Sequence, residues 1–541
     1  MFQKKPWALF CLALLFLLPL LFLSDIPQRD VLSRYAPMAQ AIATGNWVEA
    51  FHPRIAFLFP SFGAICIRIF SCDAFTGVKI ASAICFLLTI FPLWKIFSTV
   101  FDQTIAKIGC VLLIFCPYWL RIASSGLRDS SKLLFLIWTV WGLLQLYRNR
   151  KSIKGYLIVG FGCGAMTAIR DDSLLIGVLF GLACLWLERK GTKRFPWRSF
   201  IAGLVAALIL LPGLILNYQM TGYPVPGTHF IGMASSVMKP YAFGTFASPL
   251  PHFQPGKSNF PKGSLWTETA PITQPASEKP AFQPVPENLD FQPVTWTILI
   301  EFLVAVSKGY YFLFAIPAII MIFRRIRSQV WTPLETLLLA VWLGHGLIII
   351  FEILVFDRYL YVSRRYLLPA APLAFGWTAL ALRQLYEYCL SRFSIKRVRK
   401  IATGTVLLLC CLFYLEALSP ELKNRFLPKY AEKRNAMLAW SAQIKTLYQG
   451  PSHQTSPQFQ SGSYYTFRRP LVACLALPET VYLTGGEGCS LTPEDALTIG
   501  LRADFLVARI KDQAPHYPGY RLLNIRRGSK HSYALYACRR E

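Results

Sequence analysis

The stretch ALFCLALLFLLPLLFLSDIPQRDVLSRYAPMAQA, residues 8–41, changes abruptly from an apolar run to a segment with two aspartates and two arginines. Its apolar part is close to the ~20 residues that a membrane-spanning helix needs. The basic head MFQKKPW before it is also typical of a secretory signal peptide, but no small-x-small cleavage site precedes Asp25. We therefore predict that this run is an uncleaved first span of a membrane protein.

The composition is that of a chain that lipid solvates along much of its length. Of 541 residues, 54% are hydrophobic and 16% are charged, and the mean hydropathy is +0.42. These values argue against a soluble globule. A net charge of +28 would suggest nucleic-acid binding in a soluble protein, but here the Lys and Arg residues fall mainly in short loops, where charge sets orientation in a membrane.

Ten further apolar runs predict a polytopic helical membrane protein with about eleven spans. The runs lie at 75–94, 104–120, 131–147, 155–169, 173–187, 199–217, 300–323, 333–356, 366–382 and 401–417. Alternate loops, such as ERKGTKRFPWR and RQLYEYCLSRFSIKRVRK, are basic, which places them in the cytoplasm. We predict an integral protein of a bacterial inner membrane, with a cytoplasmic N-terminus and an extracytoplasmic C-terminus.

The remaining segments face the outer side in this topology. They include a first outer loop, 25–74, in which the run 56–70 is interpreted as a helix on or dipping into the outer leaflet. They also include a long Pro-rich loop, 218–299, which is either a lid or a connector. The transmembrane domain is expected to span 1–417, with 418–541 forming a small extracytoplasmic α/β domain.

The evidence for that second domain is a change of pattern after the last apolar run. SPELKNRFLPKYAEKRNAMLAWSAQIKTLY has helical periodicity, and ETVYLTG, ADFLVARI, YRLLNIRR and YALYACR are typical of short strands. Cys474, Cys489 and Cys538 lie here, and an oxidising compartment would allow two of them to pair. The other cysteines are mostly in apolar runs, and no CxxC metal or redox spacing occurs.

Asp30 stands just before a stripe of apolar residues at i, i+3, i+4 spacing, which predicts an interfacial helix over 31–43 that rests on lipid. Pro37 requires that this helix begin late. A carboxylate beside lipid is costly and needs a reason. Two interpretations remain open: Asp30 caps the helix start, or it is held at the lipid–water boundary for chemistry.

Further charged clusters return to the same predicted face, and Lys308 lies near the outer end of the eighth span. The clusters are Arg128 with Asp129, Arg170 with Asp171 and Asp172, and Asp357 with Arg358, Arg364 and Arg365. A helix start favours a carboxylate on dipole grounds alone, so Asp129 also has a capping interpretation. Three such clusters on one face nevertheless favour a shared site.

Carboxylates and arginines at a lipid–water boundary suit the transfer of a group from a lipid phosphate. The leaving phosphate needs guanidinium or ammonium partners as its bond breaks. The acceptor hydroxyl has a high pKa and needs a carboxylate base within reach. No P-loop or GxGxxG is present, as expected of an outer-face enzyme without nucleotide donors.

Four segments resemble motifs of the GT-C glycosyltransferases, the class of protein O-mannosyltransferases and lipid A aminoarabinose transferases. RDVLSRYAPMAQAIATGNWVEAFHPR is similar to their first periplasmic loop, and LRDSSKLLFLIWTVWGLLQLY to their second acidic loop. GFGCGAMTAIRDDSLLIG and RRYLLPAAPLAF resemble two later motifs. The ordered set covers roughly residues 7–390 and implies the GT-C fold.

The resemblance implies that Asp30 is the catalytic carboxylate and that Asp129 is the second acidic residue, which positions acceptor or donor phosphate. The implied donor is a polyprenyl-phosphate monosaccharide, attacked with inversion, and the acceptor is a glycolipid or lipopolysaccharide, or a protein. Some members use a divalent metal, but no ligand cluster here demands one. The implied substrate-binding residues are Arg34, Tyr35, His52, Arg128, Arg170, Asp172, Lys308, Arg364, Arg365 and Tyr366.

The chain departs from the family pattern at two places. Members often carry Asp-Glu at the fourth and third positions before the loop tyrosine, where this chain has Val31 and Leu32, and Asp30 comes one position earlier. Many members have His-Pro-Pro or Lys-Pro-Pro where this chain has His52-Pro53-Arg54. Asp25 is therefore the reserve candidate for the base.

Two other functions compete with a glycosyltransferase. A transporter or flippase of a lipid-linked anion would use the same arginines, but the middles of the spans hold few ionisable groups, and no matching broken helices mark two halves. The third hypothesis is that the protein is a family relative that has lost activity and serves as a scaffold. Sugar transfer by variants of Asp30 and Asp129 distinguishes the three.

Overall fold

The computed structural model describes the helical part of the chain and five strands near the C-terminus. The described residues are 6–24, 28, 30–51, 55–191, 195–221, 314–356, 365, 368–427, 435, 439–440, 443–444, 471–474, 487–489, 505–510, 520–526 and 532–538. Most of the predicted Pro-rich loop lies outside them. Contacts divide the chain into a first unit, 1–24, 34–248 and 286–418, and a second unit, 25–33, 249–285 and 419–541.

The first unit is a bundle of α-helices. In chain order the helices are α1 (Trp7–Leu23), α2 (Ala36–Thr44), α3 (Trp47–Ala50), α4 (Leu58–Phe70), α5 (Ala74–Val100), α6 (Gln103–Ile114), α7 (Pro117–Ser125), α8 (Asp129–Arg148), α9 (Ile153–Ile169), α10 (Leu174–Gly191), α11 (Trp197–Thr221), α12 (314–327), α13 (Pro333–Phe356), α14 (Ala371–Arg392) and α15 (Ile395–Phe426). Short 3₁₀ turns at Asp171–Ser173 and Leu368–Ala370 precede α10 and α14.

Every predicted apolar run overlaps one or more of these helices, which confirms a helical membrane fold. Within the described residues, four helices are long and apolar enough to cross a membrane, or five if α6 and α7, which meet at 58°, form one broken span. The total of eleven spans stays a prediction. The helix α15 runs through Ser419 and Pro420, where the sequence pattern suggested that a second domain begins.

The predicted interfacial helix over 31–43 forms in two parts. A π-helical turn, Val31–Tyr35, is followed by α2, which begins late, as Pro37 requires. It ends at Gly45, whose positive φ of 82° suits the turn in which Gly45 and Asn46 donate to carbonyls of α2.

The prediction that the apolar stripe of this helix rests on lipid is wrong. Ala36, Ala39 and Ile42 are buried, and α2 packs on α4 and α5. Periodicity identifies the apolar face of a helix, but that face meets a protein neighbour here because α4, the predicted leaflet helix, folds back along it.

Two ion pairs between distant segments agree with the predicted alternation of cytoplasmic and outer loops. Asp102, between α5 and α6, pairs with Arg383 of α14, and both segments are predicted to be cytoplasmic. Arg121 of α7, predicted to be at the outer side, pairs at 3.3 Å with Glu416 of α15, which lies at the outer end of the last predicted span. Each pair thus joins segments assigned to the same face.

The helices α9 and α11 approach each other closely because two glycines of α9 face α11. A Cβ on Gly160 would lie 2.3 Å from the carbonyl oxygen of Ala202, and one on Gly164 would lie 2.8 Å from that of Ala206. Small residues four positions apart let spanning helices meet backbone to backbone. This contact fixes the C-terminal end of α9, which carries Arg170.

The second unit contains a five-stranded mixed sheet in the order β2-β1-β3-β5-β4. The strands are β1 (Leu471–Cys474), β2 (Glu487–Cys489), β3 (Phe505–Ile510), β4 (Tyr520–Arg526) and β5 (Ser532–Cys538). Three predicted strands coincide with β3, β4 and β5, whereas ETVYLTG lies outside the described residues. Cys474 faces Val507, Cys489 faces Ala473, and Cys538 faces Tyr520, so no two of these cysteines occupy facing positions.

Replacing Gly160 with alanine should lower the free energy of unfolding by about 1–3 kcal/mol, because the methyl group must push α9 away from α11. Thermal unfolding of the purified protein in detergent measures this. The control is Gly203→Ala on α11, whose Cβ would meet nothing within 4 Å. Equal melting temperatures for both variants would show that the close approach carries no stability.

Candidate active site

The start of α8 is a buried polar region of the first unit. The residue Gly126, with φ of 79°, reverses the chain after α7, so that Asp129 opens α8. The hydroxyl of Ser82 on α5 donates to the carbonyl of Leu127 at 2.9 Å and contacts the Ser130 hydroxyl at 3.1 Å. The first turn of α8 is therefore locked onto α5.

The carboxylate of Asp129 has no exposed surface and is held by two arginines from distant segments. Nη1 of Arg170, just after α9, donates to Oδ1 at 3.1 Å, and Nη2 of Arg365 donates to Oδ2 at 2.7 Å. The Arg170 side chain is 7% exposed and that of Arg365 is 26% exposed. Each carboxylate oxygen thus has a charged donor, and Arg365 forms the accessible edge.

The guanidinium of Arg128 is the third one at this junction. It extends from the start of α8 to the end of α9, whereas Arg170 extends from the end of α9 to the start of α8. Arg128 donates from Nη1 to the carbonyl of Ile169 at 3.2 Å, while Arg170 reaches back to Asp129. The guanidinium of Arg128 also lies 5.7 Å from the centre of the Tyr35 ring, a cation–π distance. These reciprocal contacts join the start of α8, the end of α9 and the start of α2.

The electrostatics of this cluster favour an ionised carboxylate. Burial works against an ionised carboxylate, but Arg365, Arg170 and Arg128 outweigh it and hold the pKa of Asp129 below its usual value. Asp129 lies outside the predicted apolar run that begins at residue 131, at the polar end of α8. One carboxylate therefore faces three guanidiniums, and we call these four residues the Asp129 cluster.

Lys132 is a buried cation that the sequence reasoning did not single out as a site residue. It lies one turn beyond Asp129 on α8 and is completely buried. The signal was available, because a lysine inside a long apolar run is costly unless it is partnered. Its place adds positive charge to the same end of α8.

The structure brings some predicted site residues together and does not describe others. Arg128, Asp129, Arg170, Arg365 and Tyr35 share one junction. Tyr35, expected to contact substrate, is 1% exposed and packs edge-on against Phe59 at 5.4 Å, so its ring supports Arg128 from inside the protein.

The remaining predicted residues divide into two sets. Asp30 and Arg34 are half-buried and lie at the π-helical turn. His52, Lys308, Arg364, Tyr366 and the reserve candidate Asp25 fall outside the described residues, as does the side chain of Asp172. The roles of all these residues stay predictions.

A divalent cation does not suit the Asp129 cluster. Within the described residues, no three His, Cys, Asp or Glu side chains gather as a metal site. Three arginines around one carboxylate repel a cation and attract an anion. The electrostatics of the cluster therefore favour an anion over a cation.

Comparisons with known proteins confirm that the chain resembles the GT-C glycosyltransferases, through a family model and through solved structures that share its fold. Residues 52–215 match the family model described as dolichyl-phosphate-mannose-protein mannosyltransferase. The matched segment contains Asp129 and Arg170, whereas Asp30 and Arg365 lie outside it. A comparison with curated proteins finds no match.

Solved structures with this fold include ArnT from Cupriavidus metallidurans bound to undecaprenyl phosphate. The likeness has a TM-score of 0.56 at 12% identity over 98% of this chain and 97% of that one. ArnT in the apo state gives 0.54 at 12% identity over the same shares. The archaeal oligosaccharyltransferase AglB from Archaeoglobus fulgidus, in complex with an inhibitory peptide and a dolichol-phosphate, gives 0.50 at 14% identity over 93% of this chain and 69% of that one.

Replacing Asp129 with asparagine should lower the free energy of unfolding by about 3–5 kcal/mol, because it leaves buried guanidiniums without their counter-charge. Thermal unfolding in detergent is the measurement. The control is Glu387→Gln, which removes an exposed i,i+4 pair with Arg383 and should cost about 0.5 kcal/mol or less. Asparagine at 129 with wild-type stability would contradict the role given to this carboxylate.

The stability of Tyr35 variants should depend on whether the new side chain is aromatic. Tyr35→Phe keeps an aromatic face under Arg128, whereas Tyr35→Leu removes it, so the leucine variant should be less stable by about 1–2 kcal/mol. In an Arg128→Gln background the difference between the two should shrink. A difference that stays the same in both backgrounds would show that the cation–π contact contributes nothing.

Proposed function

We propose that this protein is a glycosyltransferase of a bacterial inner membrane that acts on the outer face. It moves a sugar from a polyprenyl-phosphate monosaccharide to a cell-envelope acceptor, which is a glycolipid such as lipopolysaccharide or a protein. The N-terminus is cytoplasmic and the C-terminus extracytoplasmic in this proposal. A scaffold without activity and a flippase of a lipid-linked anion are the outcomes against which it is tested.

The gathering of three guanidiniums around the buried carboxylate of Asp129 is the observation that carries the proposal. Three guanidiniums surround one carboxylate, and Arg365 keeps 26% of its side-chain surface exposed. A lipid-linked phosphate supplies an anion, and guanidiniums bind phosphate through two parallel hydrogen bonds. The structures of ArnT with undecaprenyl phosphate and of AglB with a dolichol-phosphate support this class of donor.

The two predicted carboxylates take different roles. Asp129 accepts hydrogen bonds from Arg170 and Arg365, which favour its ionised form, so protonation would remove the charge that pairs with both guanidiniums. It therefore suits a residue that holds arginines in place rather than a general base. Asp30, from the first outer loop, is the base that the family resemblance implies.

The reaction then proceeds as an inverting displacement. The acceptor oxygen attacks the anomeric carbon on the side opposite to the phosphate, and the bond from this carbon to the phosphate oxygen breaks. The hydroxyl proton passes to Asp30, which raises the nucleophilicity of the acceptor. Arg170 and Arg365 stabilise the charge that builds on the departing polyprenyl phosphate.

Asp30→Asn should lower the turnover of sugar transfer by about 10²–10⁴-fold, the usual effect of losing a general base. The assay follows transfer from polyprenyl-phosphate monosaccharides to cell-envelope glycolipid by mass spectrometry. The variant should unfold closer to the wild-type temperature than Asp129→Asn, because Asp30 is half-buried whereas Asp129 is fully buried. Glu416→Gln, a carboxylate of the same predicted face, is the matched control and should retain full transfer.

Each outcome separates the candidate functions. Wild-type turnover in Asp30→Asn would remove Asp30 as the base and direct attention to Asp25. Transfer that is absent from the wild-type protein across a broad screen of donor sugars would favour the flippase or the scaffold. A comparison of cell-envelope glycans with and without the protein identifies the acceptor.

A further inference from the structure

The helix α15 begins with a dense group of cations. Lys396, Arg397, Arg399 and Lys400 are all exposed, and only Val398 between them is buried. No acidic residue lies in the first turn. We call these four cations the α15 basic cluster.

Stabilisation of the protein does not account for this cluster. None of the four side chains forms an ion pair or a hydrogen bond with the part of the chain that the structure describes. Cations in the first turn of a helix also oppose the helix dipole, which favours negative charge there. The four charges are therefore directed toward something outside the protein.

The continuation of the helix shows what surrounds the cluster. From Ile401 to Leu415 α15 carries no charged residue, and large side chains including Leu407, Leu408, Leu412 and Leu415 are exposed on it. An exposed apolar helix of this length in a membrane protein contacts lipid chains. The basic cluster stands immediately before this stretch, at the depth of the lipid headgroups.

The cluster is remote from the candidate active site. Arg148, at the far end of α8 from Asp129, donates to the carbonyl of Thr99. Thr99 is close in the chain to Asp102, which pairs with Arg383 of α14. Because α14 leads directly into α15, the far end of α8 and the start of α15 lie toward the same side of the bundle. The 20 residues of α8 span about 30 Å, so the cluster and Asp129 lie near opposite faces of the bundle.

We propose that the α15 basic cluster is a binding site for anionic phospholipid headgroups of the leaflet opposite to the Asp129 cluster. Lipid headgroups are the neighbours that a lipid-facing helix meets at this depth, and four uncompensated cations select the anionic ones. An anionic lipid held there neutralises the start of α15 and anchors the helix at the edge of the bundle. This site is independent of the proposed sugar transfer.

Photo-crosslinking tests the proposal in the full-length protein. Photoactivatable phosphatidylglycerol and phosphatidylcholine are added separately to the detergent-solubilised protein, and labelling of residues 392–401 is quantified by peptide mass spectrometry. The wild-type segment should be labelled by phosphatidylglycerol at least tenfold more than by phosphatidylcholine. Each cation near an anionic lipid surface is worth roughly a fivefold change in affinity.

Two sets of variants define the result. Glutamine at all four positions should lower phosphatidylglycerol labelling at least tenfold. The double variants Lys396→Gln/Lys400→Gln and Arg397→Gln/Arg399→Gln should give intermediate losses of labelling. Their thermal unfolding should be unchanged. The charge-conserving controls Lys396→Arg and Arg397→Lys should retain labelling. Equal labelling by both lipids, labelling unchanged in the glutamine variants, or complete competition by inorganic phosphate at the lipid concentration would overturn the proposal.

Discussion

A carboxylate without exposed surface persists in an apolar bundle only if cations lie against it, because desolvation of a lone charge costs several kcal/mol. Asp129 meets this condition through Arg170 and Arg365, which reach it from different parts of the chain. Three segments must therefore converge before this residue is stable. This end of the bundle is arranged around that requirement.

The convergence also bears on the proposed function. In that proposal the three guanidiniums of this junction bind the phosphate of the donor. The same contacts keep the guanidiniums in place before a ligand arrives, which lowers the ordering cost of binding. Arg128 connects this junction to the Tyr35 ring, so the segment that leads into α2 is coupled to the Asp129 cluster through a packed aromatic side chain.

Sequence reasoning predicted a large part of this arrangement. The alternation of basic loops assigned Asp129, Arg170 and Arg365 to one face, because loop charge follows orientation, and the structure brings these side chains into contact. The apolar runs predicted the helices for a different reason. Each run is long enough to cross lipid, where the backbone must satisfy its own hydrogen bonds.

Other features were beyond the reach of sequence patterns. Periodicity marked the face of Tyr35 as apolar but carried no information about whether lipid or α4 covers it. The strands β1 and β2 are too short to show alternation. Lys132 carried a signal that was overlooked, since its burial beside Asp129 follows from its position one helical turn away.

The buried ion pairs also impose an order on biosynthesis. Arg170 follows Asp129 by 41 positions, whereas Arg365 follows it by 236. At roughly 5–20 residues per second, the ribosome delivers Arg365 on the order of ten to fifty seconds after Asp129. During that interval the nascent chain holds a half-compensated carboxylate at the membrane boundary, so α8 and α9 must be retained near water or near the insertion machinery until the last third of the chain arrives.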